Sequence, residues 1–511
     1  MTVQGNDIAI RGPAMRAQGF WRDETLLHHL DRAVARHPGK TAIVACRSDL
    51  GSETRLTYAQ VDDLSNRVAA GLRARGIGRG DVVSFQLPNW WEFSILHLAC
   101  LKLGAISNPL MVIFRERELR FMLGLAESKV LVVPASFRGF DYAAMADNLR
   151  ADLPKLAHVF IVGRDGADGF ASLTGTASDA RFTAADGPGP DEVIQLLYTS
   201  GTTGEPKATM HFHRDLLIIA DGYAKEVLQV TPDDIFVGSP PLAFTFGLGG
   251  LAIFPLRFGA AAALLEQASP ANLISLIQEH RATVCFTAPT AYRAMLKAME
   301  EGADLSSLRA AVSAGETLPA PVYDEWMART GKPMLDGIGA TEMLHIFITN
   351  RFEDHSPGCT GRPVAGYQAK IVGDDMAELP RGTVGRLAVR GPTGCRYMAD
   401  DRQRAYVKDG WNLTGDSFWQ DEAGRFHFAA RSDDMIVSSG YNIAGPEVEA
   451  ALLSHPAVLE CAVVGAVDEE RGHIVEAHVV LSAGQQGDAE MVKQLQDHVK
   501  AVIAPYKYPR R

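Results

Sequence analysis

Apolar residues alternate along this chain between two rhythms. Short, mostly apolar runs such as Val82-Val83-Ser84-Phe85-Gln86-Leu87 and Val130-Leu131-Val132-Val133 stop at Pro88-Asn89 and Pro134 and read as strands. Between them, Trp91 to Lys102 carries apolar residues at helical spacing. The alternation returns later. Phe258 to Leu265 reads as a buried strand, Leu273 to His280 as a helix, and Thr283-Val284-Cys285-Phe286 as a strand stopped by Pro289. Arg309 to Val312 leaves into Ser313-Ala314-Gly315-Glu316, and Pro333-Met334-Leu335-Asp336 into Gly337-Ile338-Gly339-Ala340-Thr341-Glu342. This order predicts an α/β fold with mostly parallel sheets covered on both faces. Ligands of open α/β sheets bind beyond the carboxyl ends of strands, so the Gly-containing exits point to one crevice. From about residue 357 the segments shorten between Gly/Pro turns, as in Gly382 to Pro392, which predicts a small β-rich subdomain. After Arg431-Ser432-Asp433-Asp434 a compact α/β pattern begins. The expected domains are therefore 1–432 and 433–511.

Composition narrows the picture. The 511 residues are 47% hydrophobic and 22% charged, ordinary for a globular chain able to bury more than one core. Net charge is −11, with no basic run interleaved with aromatics, which argues against a nucleic-acid partner. Residues Met1 to Phe20 lack the apolar core of a signal peptide, and no apolar run approaches a membrane span. No stable membrane association is expected. The six cysteines are scattered, without C-x-x-C or a His cluster at metal spacing, which fits a reduced, cytoplasmic setting.

Candidate chemistry concentrates in Tyr198-Thr199-Ser200-Gly201-Thr202-Thr203-Gly204-Glu205-Pro206-Lys207, directly after Val193-Ile194-Gln195-Leu196-Leu197. A strand running into a Gly/Ser/Thr loop that ends in lysine suits an oxyanion. Its glycines let backbone N–H groups turn inward, while hydroxyls and the ammonium add donors. Each hydrogen bond to a charged group contributes roughly 1.5–3 kcal/mol, so a few can hold a triphosphate. The plain alternative is a surface turn, which rarely follows a buried strand with this spacing. A P-loop does not fit, because Glu205-Pro206 separates Gly204 from Lys207 and Pro206 lacks a backbone donor.

The run resembles the phosphate-binding loop of the AMP-forming acyl- and aryl-CoA synthetases, the adenylate-forming superfamily, and the resemblance covers nearly the whole chain. Ala208 stands where the family usually has Gly. The resemblance implies two doubly wound sheets and the β-rich subdomain in a large N-terminal domain, with a small mobile α+β domain after it. It also implies ATP, Mg²⁺ and CoA, and a small carboxylic acid as substrate. On this resemblance Thr199, Ser200, Gly201, Thr202, Thr203, Gly204 and Lys207 hold the phosphates, and Thr199, Lys207 and Glu342 carry the catalysis. Asp336 to Glu342 resembles the second nucleotide motif. There Gly337 permits close approach, Thr341 offers a hydroxyl, and Glu342 offers an oxygen suited to Mg²⁺. Gly315, Glu316 and Asp336 would lie around adenine. The alternative is a helix capped by Thr341 with Glu342 in its first turn. Trp411-Asn412-Leu413-Thr414-Gly415-Asp416 resembles the ribose motif, with Arg431 as a second contact, unless Asp416 only closes a turn before Ser417. Asp433 is the expected hinge, and Ser439, Gly440 and Tyr441 the expected pantetheine tunnel, with Val437 where families often carry Lys.

The acid is expected between Phe244-Thr245-Phe246-Gly247 and the exits near Ala314 and Gly339, a flat apolar slot sized for a ring. His345 and Ile346 follow Glu342 in a stretch resembling benzoate- and 2-aminobenzoate-CoA ligases, while His345 as a satisfied core residue stays open. The N-terminal third looks more like cyclohexanecarboxylate-CoA ligases, which keeps a medium-size acyl acid as an alternative. In the family a Gly-Lys follows the segment resembled by Ala504 to Pro509 by some twenty residues, and this sequence stops at Arg511. The C-terminal domain is therefore expected to be truncated and its adenylation weakened by ~10²–10³. Two further classes stay open: a nucleotide-binding protein without turnover, and an enzyme that loads a carrier protein. A homodimer is one expected assembly.

Overall fold

Strands buried on both faces form the frame of the molecule. The computed structural model describes residues 6–48, 50–176, 181–201, 204–299, 302–431, 435–438, 441–468, 472–503 and 507–511. Val82–Phe85 pairs in parallel with Ile106–Pro109 and Val130–Pro134, every residue of the three being buried. Such strands read as continuous apolar runs because helices cover both sides. The intervening helix Trp91–Leu103 is enclosed along nearly its whole length and ends at Gly104 in the left-handed conformation, φ 72°. Even Lys102 is buried in it, its ammonium 2.6 Å from Asp62 and 2.9 Å from Asn66 Oδ1. A buried cation tolerates that position only when paired and hydrogen-bonded in this way.

These strands belong to a six-stranded sheet completed by His158–Val162, Val193–Gly201 and, antiparallel at the edge, Gly204–Phe212. A nine-stranded sheet has a parallel centre of Met334–Gly339, Ala310–Ala314, Val284–Thr287, Ile235–Gly238 and Ala261–Leu265. Thr41–Arg47 extends it in parallel, and Ser52–Thr57 closes that edge antiparallel. The strand expected from Phe258 starts only at Ala261. Phe258 ends a short helix, and Gly259 at φ 70° turns the chain into the sheet. The β-rich segment is a five-stranded sheet built on Gly385–Arg390 and Trp411–Gln420. Residues 436–508 gather a hydrophobic cluster of their own around Ile436, Val448 and Leu452, beside a four-stranded antiparallel sheet. The fold is mixed α/β with a separate C-terminal domain. Among the described residues no helix is long and apolar enough to cross a membrane.

Candidate active site

The expected phosphate loop is a hairpin. The Val193–Gly201 strand does not stop at Leu197. It continues through Thr199, Ser200 and Gly201, and the chain returns at once from Gly204 to Phe212 with Lys207 opposite Thr199. Lys207 therefore stands in a strand and not at the end of a loop. Pairing with a distant segment explains the difference: Met210 N donates to Arg396 O at 2.7 Å and Met398 N to Ala208 O at 2.8 Å. The next helix starts only at His213, so no helix N-terminus follows the lysine as a Walker cradle requires.

That segment also brings an aromatic residue to the lysine. The Lys207 ammonium lies 4.7 Å from the Tyr397 ring centroid and 5.8 Å from that of Tyr406, an arrangement worth roughly 0.5–2 kcal/mol. The Tyr397 hydroxyl donates to Glu342 Oε1. Burial first, and the Glu342 charge second, push the Tyr397 phenol far above its ordinary range, so it stays a donor. Glu342 is 5% exposed, in a short 3₁₀ turn over Thr341–Met343. The capping position belongs to Ala340, so Thr341 opens the turn and does not cap a helix.

Asp416 lies inside the Trp411–Gln420 strand, directly across the ladder from Arg431, which excludes the turn reading. Arg431 Nη1 donates to Asp416 Oδ1 at 2.8 Å, and the Asp416 N–H reaches Thr414 Oγ1 at 3.3 Å. Burial raises the Asp416 pKa and Arg431 opposes the shift. Gly415 sits at φ 79° with the Arg431 guanidinium over it, 2.9 Å from where a Cβ would be. The left-handed backbone favours glycine there.

The exits of Ala310–Ala314 and Met334–Gly339 are neighbours, with Ser313 across from Asp336 and Ala314 across from Gly337. Gly315 turns at φ 91°, and the exposed Glu316 accepts from Thr290 N at 3.1 Å. Asp336 is part-exposed as a residue, yet its Oδ1 is enclosed without a hydrogen-bond partner. Burial pushes its pKa up to about 8, against an ordinary value of roughly 4. The fold therefore favours the protonated form. Its stabilisation is fully present below about pH 4 and is lost as pH rises through about 8. Asp336→Asn, which cannot ionise, should accordingly become more stable than the parent protein as pH is raised across that window. Urea midpoints that keep a constant difference between the two proteins would overturn this.

Beside the crevice, His345 is 2% exposed and neither ring nitrogen has a hydrogen-bond partner. Ring centroids of Phe254, Tyr223, Phe246 and Phe286 surround it at 4.7, 5.3, 6.0 and 6.3 Å. Burial pulls its pKa down to about 3, so the imidazole is neutral. Glycines make the packing possible: a Cβ at Gly249 would lie 2.3 Å from His345 Cδ2, and one at Gly339 2.9 Å from the His345 carbonyl. Gly247 is held against Pro241 O, 2.2 Å from a Cβ position. Phe246, Ala314 and Ile346 are buried nearby in the same core, whereas Phe244 is 39% exposed and stands outside the enclosure.

The structure thus gathers Lys207, Glu342, Asp416 and Arg431 around Tyr397 and Tyr406, whose ring senses the charges of Glu342, Asp416 and Arg431. It places His345 in an aromatic cage. Thr202, Thr203, Asp433, Ser439 and Gly440 lie outside the described residues. Tyr441 opens the Tyr441–Ile443 strand. Sequence reasoning missed Tyr397 and Tyr406 as site residues, and Tyr223, Phe254 and Phe286 as walls. Of these, Phe286 stands in the Thr283 to Phe286 run read as a strand, with nothing there to mark it as a wall.

The family described as AMP-binding enzyme matches residues 30–397, more than half of the chain, and the AMP-binding enzyme C-terminal domain matches 447–511. The chain belongs to the AMP-binding enzyme family. It is an AMP-forming acid–thiol ligase of the adenylate-forming superfamily, close to the aryl-CoA ligases, and uses ATP and CoA. This AMP-binding enzyme is 36% identical to the benzoate–CoA ligase of Thauera aromatica, over 93% of this chain and 89% of the relative. It is 32% identical to the medium-chain fatty-acid–CoA ligase of Escherichia coli, over 98% and 88%. A crystal structure of an anthranilate CoA ligase in complex with anthranoyl-AMP superposes with a TM-score of 0.86 at 32% identity, covering 96% of this chain and 92% of that one.

Proposed function

We propose that this AMP-binding enzyme activates an aromatic acid of benzoate or 2-aminobenzoate type as its acyl-AMP and transfers the acyl group to CoA. The aromatic rings packed around His345 next to the strand exits carry the reading: a wall of flat rings favours a planar, apolar guest. The names of the benzoate and anthranilate relatives support it. Neutral His345 brings no charge to the substrate carboxylate, so it reads the ring, as a hydrogen-bond partner for a substituent.

In the first half-reaction a carboxylate oxygen attacks the α-phosphorus and pyrophosphate leaves. Lys207 and Thr199, fixed opposite each other in the hairpin, hold the departing phosphates with Ser200, Thr202 and Thr203. Asp416 accepts from the ribose hydroxyls, and Arg431 orients it. Glu342 fits a hard divalent cation, being a buried carboxylate with one oxygen anchored by Tyr397. Mg²⁺ bound there would supply neutralisation of phosphate charge. Little covalent work falls to the side chains, so positioning dominates. In the second half-reaction the CoA thiol attacks the acyl carbonyl past Gly440 and AMP leaves, after the 433–511 domain has turned about Asp433.

The test mixes the protein with ATP, Mg²⁺ and CoA and offers benzoate, 2-aminobenzoate, cyclohexanecarboxylate and octanoate in competition, with acyl-AMP and acyl-CoA read by mass spectrometry. Aryl products should dominate at least tenfold. Dominant octanoyl-CoA would replace the aromatic reading with the medium-chain one that the Escherichia coli relative favours.

A further inference from the structure

Far along the nine-stranded sheet, three residues that the sequence scatters come together. Cys46 on Thr41–Arg47 faces Glu53 on Ser52–Thr57 as its direct register partner, and His280 ends the Pro270–His280 helix above them. Cys46 Sγ lies 3.9 Å from Glu53 Oε2, His280 Nε2 lies 3.3 Å from the same oxygen, and all three ligand atoms fall within 4.8 Å of one another. A tetrahedral zinc site with bonds of roughly 2.0–2.3 Å sets its ligand atoms roughly 3.3–3.6 Å apart. The triad is already close to that spacing.

Two further observations favour a cation. The His280 side chain is only 6% exposed, and its Nε2 is enclosed without a hydrogen-bond partner while facing Glu53. The surroundings are also acidic: the charges of Glu279 and Glu266 join that of Glu53 around Cys46, with Arg55 opposing them. Arg55 Nε holds Glu53 Oε1 at 2.6 Å, which leaves Oε2 as the inward ligand. Its Nη2 lies 3.4 Å from His280 Nδ1. That ring nitrogen must carry the proton when Nε2 binds a metal, so Arg55, 57% exposed, would turn outward.

We infer that Cys46 Sγ, Glu53 Oε2 and His280 Nε2 form a binding site for a thiophilic divalent cation of the Zn²⁺ type, separate from the catalytic crevice. The mixed S, N and O donor set selects Zn²⁺ over Mg²⁺, which takes oxygen ligands. Three protein ligands leave a fourth position for water. A bound ion would tie the edge strand Ser52–Thr57 to a helix more than two hundred residues away in the chain, where closing a long loop gives the larger entropic stabilisation.

The full-length protein, stripped with a chelator, is titrated with Co²⁺ and separately with Zn²⁺. One equivalent of Co²⁺ should produce a thiolate-to-cobalt charge-transfer band in the near ultraviolet, Zn²⁺ should abolish it, and Zn²⁺ should raise the thermal midpoint. Cys46→Ser should remove the band, His280→Gln should weaken Co²⁺ binding at least tenfold, and Glu342→Gln should leave it unchanged. Should Cys46→Ser fail to fold, His280→Gln and Glu53→Gln decide the matter alone. No band at millimolar Co²⁺, or one that survives both of those substitutions, overturns the site.

Discussion

Glu342→Ala should lower MgATP-dependent acyl-AMP formation by ~10²–10³, the usual effect of losing one preorganised electrostatic group. The alanine variant alone confounds two effects. It removes the carboxylate, and it leaves the buried Tyr397 hydroxyl without its acceptor, which costs roughly 1–3 kcal/mol of stability. Glu342→Gln separates them, since the amide oxygen still accepts from Tyr397 but carries no charge. If charge is the function, Glu342→Gln loses activity almost as fully as Glu342→Ala while melting like the parent. Tyr397→Phe should fall between, roughly tenfold down, because the ring beside Lys207 survives and only the anchor on Glu342 goes. Single-turnover acyl-AMP assays with thermal melts check the series. Full turnover in Glu342→Gln would remove Glu342 from the chemistry.

Gly249→Val should weaken acid binding by more than tenfold while leaving ATP binding intact. The new Cβ would sit 2.3 Å from His345 Cδ2 and 2.7 Å from Nε2, well inside contact distance. The imidazole cannot retreat sideways, because Phe254 at 4.7 Å and Tyr223 at 5.3 Å hem it in. Its displacement would push into Phe246 and Phe286, the rings proposed to wall the acid. Overpacking of this kind also costs about 1–3 kcal/mol of stability. The informative readout is the split between substrates: a raised KM for benzoate with an unchanged KM for ATP. Equal effects on both would mean general unfolding, and no effect would place the acid elsewhere.

The parallel strands were legible because each is buried on both faces, so Val130–Pro134 shows as an unbroken apolar run whatever its neighbours do. The hairpin was not. Its returning strand is set by hydrogen bonds to Arg396 and Met398, partners nearly two hundred residues away, and a Gly/Thr-rich segment has no periodicity of its own to announce a strand. Of the residues named for phosphate and ribose, Lys207, Glu342, Asp416 and Arg431 come together around Tyr397 and Tyr406, and each was legible because its chemistry sits in its side chain: an ammonium at Lys207, a guanidinium at Arg431, carboxylates at Glu342 and Asp416. The cage was half legible. His345 and Phe246 were visible beside the motifs, but Tyr223 comes from a π-helical turn and Phe286 from the middle of a strand, where an aromatic is indistinguishable from ordinary core. Cys46 and His280 show the same limit, because spacing rules detect only ligands that are neighbours in the chain.

Tyr397 has a consequence for how variation in this enzyme would be inherited. Through one side chain it touches the hairpin carrying Lys207 and the turn carrying Glu342, while its own segment is laced to Ala208 and Met210. Lesions in these three stretches should not add, since each disables the same assembly. A genetic screen would find them as one locus folded out of three, with second-site suppressors of a change in one stretch arising in the other two.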